Sequence, residues 1–179
     1  MHFFLDNTYF FQISFPCGKK WYKVEEKGMT SFLGKYYYNL DPKGRIIIPA
    51  PLRDIIFKKY NNSKLYITNA AFDKCLHIYP LEEWNKLEEK IRSMPKMEEA
   101  VKYFLRRVIA SAIECEMDKQ GRILIPYEHR QDAGINTEVV MVGQLDKIEI
   151  WDKSSWNEVT DPKKVDAKAY ESVLAGYGL

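Results

Sequence analysis

The amino-acid sequence predicts an α+β fold built from two tandem copies of one small β-rich unit, joined by helices. Three observations carry this. "DPKGRIIIPAPLR" at residues 41–53 returns as "DKQGRILIPYEHR" at 118–130, an offset of 77, with Asp, Gly, Arg, two Ile, Pro and the distal Arg at matching places. "CLHIYPLEEW" (75–84) returns as "KIEIWDKSSW" (147–156), an offset of 72, and both end in Trp. Between these anchors, "LYITNA" (65–70) corresponds to "VVMVGQ" (139–144). Self-similarity at a fixed spacing marks a repeated supersecondary unit. The fall in offset places a five-residue difference in the connecting loops.

Each copy reads as strand, charged turn, strand, short helix, strand, strand, helix. "KYYYNL" before Asp41 alternates weakly, and "RIIIP" and "RILIP" are β-branched runs closed by proline, as strands are. Pro49 and Pro126 cannot donate to a ladder and suit the first turn of a helix. "PAPLRDIIFKKY" offers Leu52, Ile55 and Ile56 to one helical face. After Pro80, Leu81, Trp84, Leu87 and Ile91 recur at helical spacing, with Glu82–Lys86 and Glu88–Arg92 pairs outside. A further helix is expected over about 96–112, carrying Met97, Val101, Leu105 and Val108, with Arg106 and Arg107 as surface charges. Tyr36, Tyr37 and Tyr38 are expected at the core and its rim. The tail, 161–179, reads as a frayed helix.

Residues 1–28 differ from the rest: aromatic-rich, without clear period and without a counterpart later. They do not resemble a signal peptide, because the apolar part precedes the lysines and no small-residue cleavage site follows. Translation is expected to start at Met29, which opens the segment leading into the first motif. A peptide from residues 1–20 in the native protein, found by mass spectrometry, would overturn this. The expected organisation is an extra segment at 1–28, a first unit at 33–80, a helical connector at 81–108, a second unit at 109–152 and a C-terminal helix and tail at 153–179.

The chain has 179 residues, 46% of them hydrophobic, which suits one ordinary domain or two very small ones. No apolar run reaches the roughly 18 residues of a spanning helix, so no membrane role is expected. Cys17, Cys75 and Cys115 lie far apart without metal-ligand spacing, so reduced thiols are expected, with neither a metal nor a cofactor. Net charge is only +2, yet residues 35–60 hold six cations against two acids, and residues 132–179 hold nine acids against five lysines. A near-neutral total therefore conceals one basic region, and the first motif lies within it. No catalytic residues are expected. His2, His77 and His129 are scattered, and no GxSxG, HExxH or Walker-type loop occurs.

The charged turn has two separable parts. Asp41 and Asp118 can accept bonds from turn amides, and Gly44 and Gly121 permit a positive φ. Neither shape requires the arginine that follows. Arg45 and Arg122, held at a hairpin mouth beside Lys43 and Lys119, suit phosphates or the guanine edge in a major groove. A turn whose Asp and Arg simply pair with each other would have the same sequence, and the two roles are compatible. Arg53 and Arg130, eight residues further on, could reach backbone phosphates or remain solvated.

"LDPKGRIIIPAPLR" and "MDKQGRILIPYEHR", closed by "GQLDKIEIW", resemble the MraZ family, bacterial regulators of the division and cell-wall gene cluster. That family is a tandem branch of the AbrB/SpoVT-type swapped-hairpin DNA-binding superfamily. The resemblance covers about residues 29–156, and the N-terminal extension is foreign to it. It implies two SpoVT/AbrB-like swapped-hairpin β-barrel-type units related by a pseudo-twofold within the chain. It also implies a cytoplasmic, nucleoid-associated protein without cofactor. Such a protein assembles as a homo-oligomeric ring and binds short direct repeats of double-stranded DNA in the promoter of its own operon. Carried over residue by residue, Asp41 with Arg45 and Asp118 with Arg122 match the family's motif, with Lys43 and Lys119 as further DNA contacts. A ring-forming scaffold acting through protein partners and an antitoxin-like autoregulator are the alternatives. Gene neighbourhood separates them.

Overall fold

The computed structural model describes residues 8–15, 18–25 and 31–178. Met29, the expected start, lies outside them. Strands β1 (Thr8–Phe15) and β2 (Gly18–Glu25) form an antiparallel hairpin of their own, with Thr8 opposite Glu25 and Phe15 opposite Gly18. The sequence pattern predicts no regular element here. The density of aromatic and β-branched residues in "TYFFQISF" supplies the strand preference that its weak alternation hides.

Residues 31–178 form a separate unit. Its first copy runs β3 (Lys35–Asn39), β4 (Arg45–Ile47), α1 (Ala50–Tyr60), β5 (Lys64–Asn69), β6 (Cys75–Pro80) and α2 (Leu81–Arg92). The second runs β7 (Ile113–Glu116), β8 (Arg122–Leu124), α4 (Tyr127–Asp132), β9 (Glu138–Gln144), β10 (Lys147–Asp152) and α5 (Lys153–Val159). The element order of the two copies is the same. Between them lie α3 (Glu99–Phe104) and a π-helical turn (Leu105–Ile109), and the chain closes with a 3₁₀ turn (Pro162–Lys164) and α6 (Ala167–Ala175).

The copies are consecutive in sequence but interleaved in space. One six-stranded sheet runs β3-β9-β10-β6-β5-β7, and β4 pairs with β8 as a separate two-stranded ribbon. The first strand of each copy thus pairs with a strand of the other: Tyr37 faces Val140 across β3–β9, and Leu65 faces Cys115 across β5–β7. Exchanging copies maps the strand order onto itself, which is a local twofold between β6 and β10. Neither copy completes a sheet alone. This fits the small size of each, since about 50 residues bury too little apolar surface for independent stability.

One face of the sheet, with α1, α4 and the ribbon, encloses a single core. Ile46, Ile48, Leu52, Ile55, Ile56, Leu65, Ile67, Leu76, Ile78, Ile123, Ile125, Ile148 and Ile150 are all at most 2% exposed within it. Tyr36 and Tyr38 pack on this core and Tyr37 is exposed, as their alternation predicts. On the opposite face, Trp151 and Trp156 meet edge to face, and Trp84 stacks on Tyr66. Glu149 is buried there. Burial would raise its carboxyl, but bonds from His77, Trp151 and Lys147 outweigh that and hold it at about 2.

Four local expectations change. The long helix over 96–112 is shorter: α3 gives way to the π turn, where the Ala110 N–H donates to the Leu105 carbonyl at 2.9 Å. The widened turn places the Val108 carbonyl against the Thr68 hydroxyl at 2.5 Å, tying the connector to β5. Arg107 is not a free surface charge. It donates to the Ala70 carbonyl and pairs with Asp132 at the end of α4. The five-residue difference lies partly in a helix, because α1 has 11 residues and α4 has 6. α4 stops where Gly134 takes φ +64° and the Ile135 N–H bonds back to the Arg130 carbonyl, a Schellman-type ending. On α2, Lys86 pairs with Glu83 instead of Glu82, whereas Glu88–Arg92 forms as expected.

Candidate nucleic-acid interface

The two charged turns are built alike to within 0.1 Å. In the first, Asp41 Oδ1 accepts from the backbone N–H of Lys43 and of Arg45, both at 2.9 Å. Its Oδ2 accepts from Arg45 Nε at 2.7 Å and lies 2.6 Å from Nη2. In the second, Asp118 Oδ1 accepts from Gln120 and Arg122 N–H, both at 2.9 Å, and Oδ2 meets Arg122 Nε at 2.8 Å and Nη2 at 2.7 Å. The glycines take φ +78° and +76°, a region that side chains rarely adopt. The Arg45 N–H is the largest influence on Asp41 and holds its carboxyl below the usual range. The same bond in the second turn, with the Arg122 guanidinium, holds Asp118 at about 2. Both aspartates are therefore ionised at any physiological pH.

This geometry makes the pairing reading and the binding reading compatible. Each aspartate occupies Nε and one N–H of Nη2. The outer edge of each guanidinium, Nη1 with the second Nη2 hydrogen, engages no protein group among the described residues. That edge is a planar two-donor fork held in a fixed direction, the arrangement suited to a phosphate or to guanine O6 and N7.

The ribbon brings the two turns together. Arg45 stands opposite Leu124, Ile46 opposite Ile123 and Ile47 opposite Arg122. Ile48 N–H donates to the Gly121 carbonyl at 2.9 Å and Ile125 N–H to Gly44 at 3.0 Å, so each strand closes on the other copy's turn. Strand alternation sends Ile46 and Ile123 into the core and places Arg45, Ile47, Arg122 and Leu124 on one outward face. The two candidate arginines are thus diagonal neighbours on one surface, although 77 positions apart in the chain.

The distal arginines cross over. Arg53 on α1 lies against the second turn, where a Cβ at Gly121 would come within 2.8 Å of its Cδ, and its Nη1 reaches the Gln120 carbonyl at 3.4 Å. Arg130 on α4 lies against the first turn, with its Cζ 2.9 Å from a Cβ built on Gly44. Its Nε donates to the Ile125 carbonyl, and the guanidinium sits 5.5 Å from the exposed Tyr127 ring. Each turn therefore carries an arginine from the other copy, which consecutive sequence cannot reveal. Lys43 and Lys119 are exposed to solvent, and no carboxylate lies within 4 Å of either among the described residues. All six candidate cations gather around the ribbon and its two turns.

The sequence pattern does not single out Ile47 and Leu124, 37% and 52% exposed opposite the two arginines. The signal was present, since alternation from buried Ile46 and Ile48 must turn Ile47 outward. A continuous apolar run hides it. Among the described residues, no group of three or more His, Cys, Asp or Glu could hold a metal, and no helix is long and apolar enough to cross a membrane. Burial pushes the Cys115 thiol up to about 12 and Cys75 higher still, so both are weak nucleophiles.

Fold and site together define a tandem-repeat α+β protein that presents two equivalent arginine turns on one shared β-ribbon. The family model described as "MraZ protein, putative antitoxin-like" matches residues 31–107 and again 108–172. The chain belongs to the MraZ family. "Transcriptional regulator MraZ" of Acetivibrio thermocellus is 38% identical over 148 residues, covering 83% of this chain and 99% of that protein. The protein of the same name in Clostridium beijerinckii is 41% identical, covering 73% of this chain and 87% of its own length. That of Caldanaerobacter subterraneus subsp. tengcongensis is 40% identical, covering 82% and 99%. These relatives are named as regulators of transcription, not as enzymes.

Proposed function

We propose that this chain is a sequence-specific regulator of transcription that grips double-stranded DNA with the ribbon and its two turns. The observation that carries this is the pair of buttressed arginines, each with a donor edge that no group among the described residues engages, on one outward face with four further cations around it. Arg45 and Arg122 would contact base edges or phosphates. Lys43, Lys119, Arg53 and Arg130 would contact phosphates, and Asp41, Gly44, Asp118 and Gly121 would shape the turns. The pairing of strands between copies supports reading the two units as a swapped-hairpin arrangement of the AbrB/SpoVT type.

One chain offers few phosphate contacts. Assembly as a homo-oligomeric ring on short direct repeats in the promoter of its own operon would convert weak single sites into useful avidity. Such a protein would work in the cytoplasm at the nucleoid, without metal, cofactor or membrane. The antitoxin-like wording of the family model supports a second reading, an autoregulator beside a toxin gene, which the genes flanking this one would distinguish.

Footprinting on the upstream region across a salt series tests the proposal. Protection is expected at regularly spaced repeats. A reading surface with about six phosphate contacts should lose roughly a thousandfold in affinity between 50 and 200 mM salt. Uniform, register-free protection at every salt concentration would reject sequence-specific binding.

A further inference from the structure

Ile47 and Leu124 fit neither role assigned to the ribbon. They contribute nothing to the core, which Ile46 and Ile123 fill from the inner face. Single exposed aliphatic residues need no explanation, but these two occupy equivalent places in the two copies. They stand on the same face as Arg45 and Arg122, at the centre of the basic surface.

We propose that Ile47 and Leu124 recognise thymine 5-methyl groups in the major groove, each beside the contact made by the arginine opposite it on the ribbon. This rests on the DNA-binding reading above and adds to it the base that the middle of the ribbon selects. A major groove admits a two-stranded β-ribbon, and the thymine methyl is the apolar group its floor presents. The spacing suits the groove. Residues two apart on one strand face are separated by about 6.6 Å, and two base-pair steps span about 6.8 Å. An arginine and the aliphatic residue beyond it can therefore address positions two base pairs apart. An apolar side chain pressed against a cytosine amino group or an adenine edge would leave that group desolvated and unpaired, so the same surface rejects other bases.

Charge favours DNA over a second copy of this chain as the occupant. The two carboxylates on the turns are consumed by their own arginines, while Lys43 and Lys119 remain in solvent on either side. Two such surfaces brought face to face would oppose cation to cation.

The test uses the full chain and two duplexes of its own upstream region, one natural and one with every thymine of the repeat replaced by deoxyuridine. Charge and base pairing are unchanged, and only methyl groups are removed. The wild-type protein is expected to bind the deoxyuridine duplex about fourfold more weakly for each methyl group that Ile47 or Leu124 no longer meets. The double variant Ile47→Ala, Leu124→Ala is expected to bind both duplexes equally while keeping its oligomer size. Equal wild-type affinity for the two duplexes overturns the inference, as does discrimination retained in the double variant. A change of oligomer size in that variant also overturns it, because the face would then be a contact between copies. Failure of the wild type to bind either duplex would instead sink the DNA-binding reading itself.

Discussion

Arg45→Ala should abolish binding to the promoter while leaving the oligomer and its thermal stability close to wild type. The guanidinium is partly exposed and, among the described residues, pairs only with Asp41, an ion pair at the surface, so its loss should cost the fold little. For DNA the cost is different in kind. One bidentate arginine contact is worth about 1–3 kcal/mol, and the deletion would recur in every subunit that engages a repeat, so the deficits multiply. A gel shift across protein concentration, with size-exclusion chromatography on the same sample, reads both quantities. An unchanged shift would remove Arg45 from the set of DNA contacts. Lost binding together with a lost oligomer would show that the turn serves assembly.

Gly121→Ala should damage stability and binding together. The residue is buried at φ +76°, and its added Cβ would meet Arg53, whose side chain lies across the turn from α1. Backbone strain of this kind costs about 1–3 kcal/mol, and each kcal/mol should lower the melting temperature by roughly 2–4 °C. Relief by moving Arg53 displaces one of the six candidate cations. Gly134→Ala is the control. Gly134 also has a positive φ, but nothing lies within 4 Å of the added carbon, so it should lose less stability and leave DNA affinity unchanged. Equal effects of the two substitutions on affinity would mean that the Arg53 position does not matter.

How far the sequence reveals this molecule depends on distance along the chain. Element order was legible because period, proline and glycine act locally, and the two copies corroborate each other. The turn was legible in detail: Asp41 and Asp118 accept the amides that a four-residue turn points at them. Partnership between copies was not. Nothing near Lys35 encodes its pairing with Val142, and nothing near Arg53 states that it lies against Gly121. Such contacts arise when two half-sheets, each too small to be stable, complete one another. The π turn was hidden for a similar reason. Val101 and Val108 keep a helical spacing, while the hydroxyl that meets the widened turn belongs to Thr68, 40 positions upstream. The outward face of Ile47 and Leu124 was legible in principle, from alternation counted across an apolar run.

The two turns are expected to act on DNA as one surface, because the ribbon holds Arg45 and Arg122 as diagonal neighbours on one face. This shared action is tested most directly on a duplex carrying a single repeat, by measuring the affinities of Arg45→Ala, Arg122→Ala and the double variant. Each single substitution is expected to weaken binding to that one repeat. If either leaves the single-repeat affinity at the wild-type value, the turns act independently and the shared surface is not what meets the DNA.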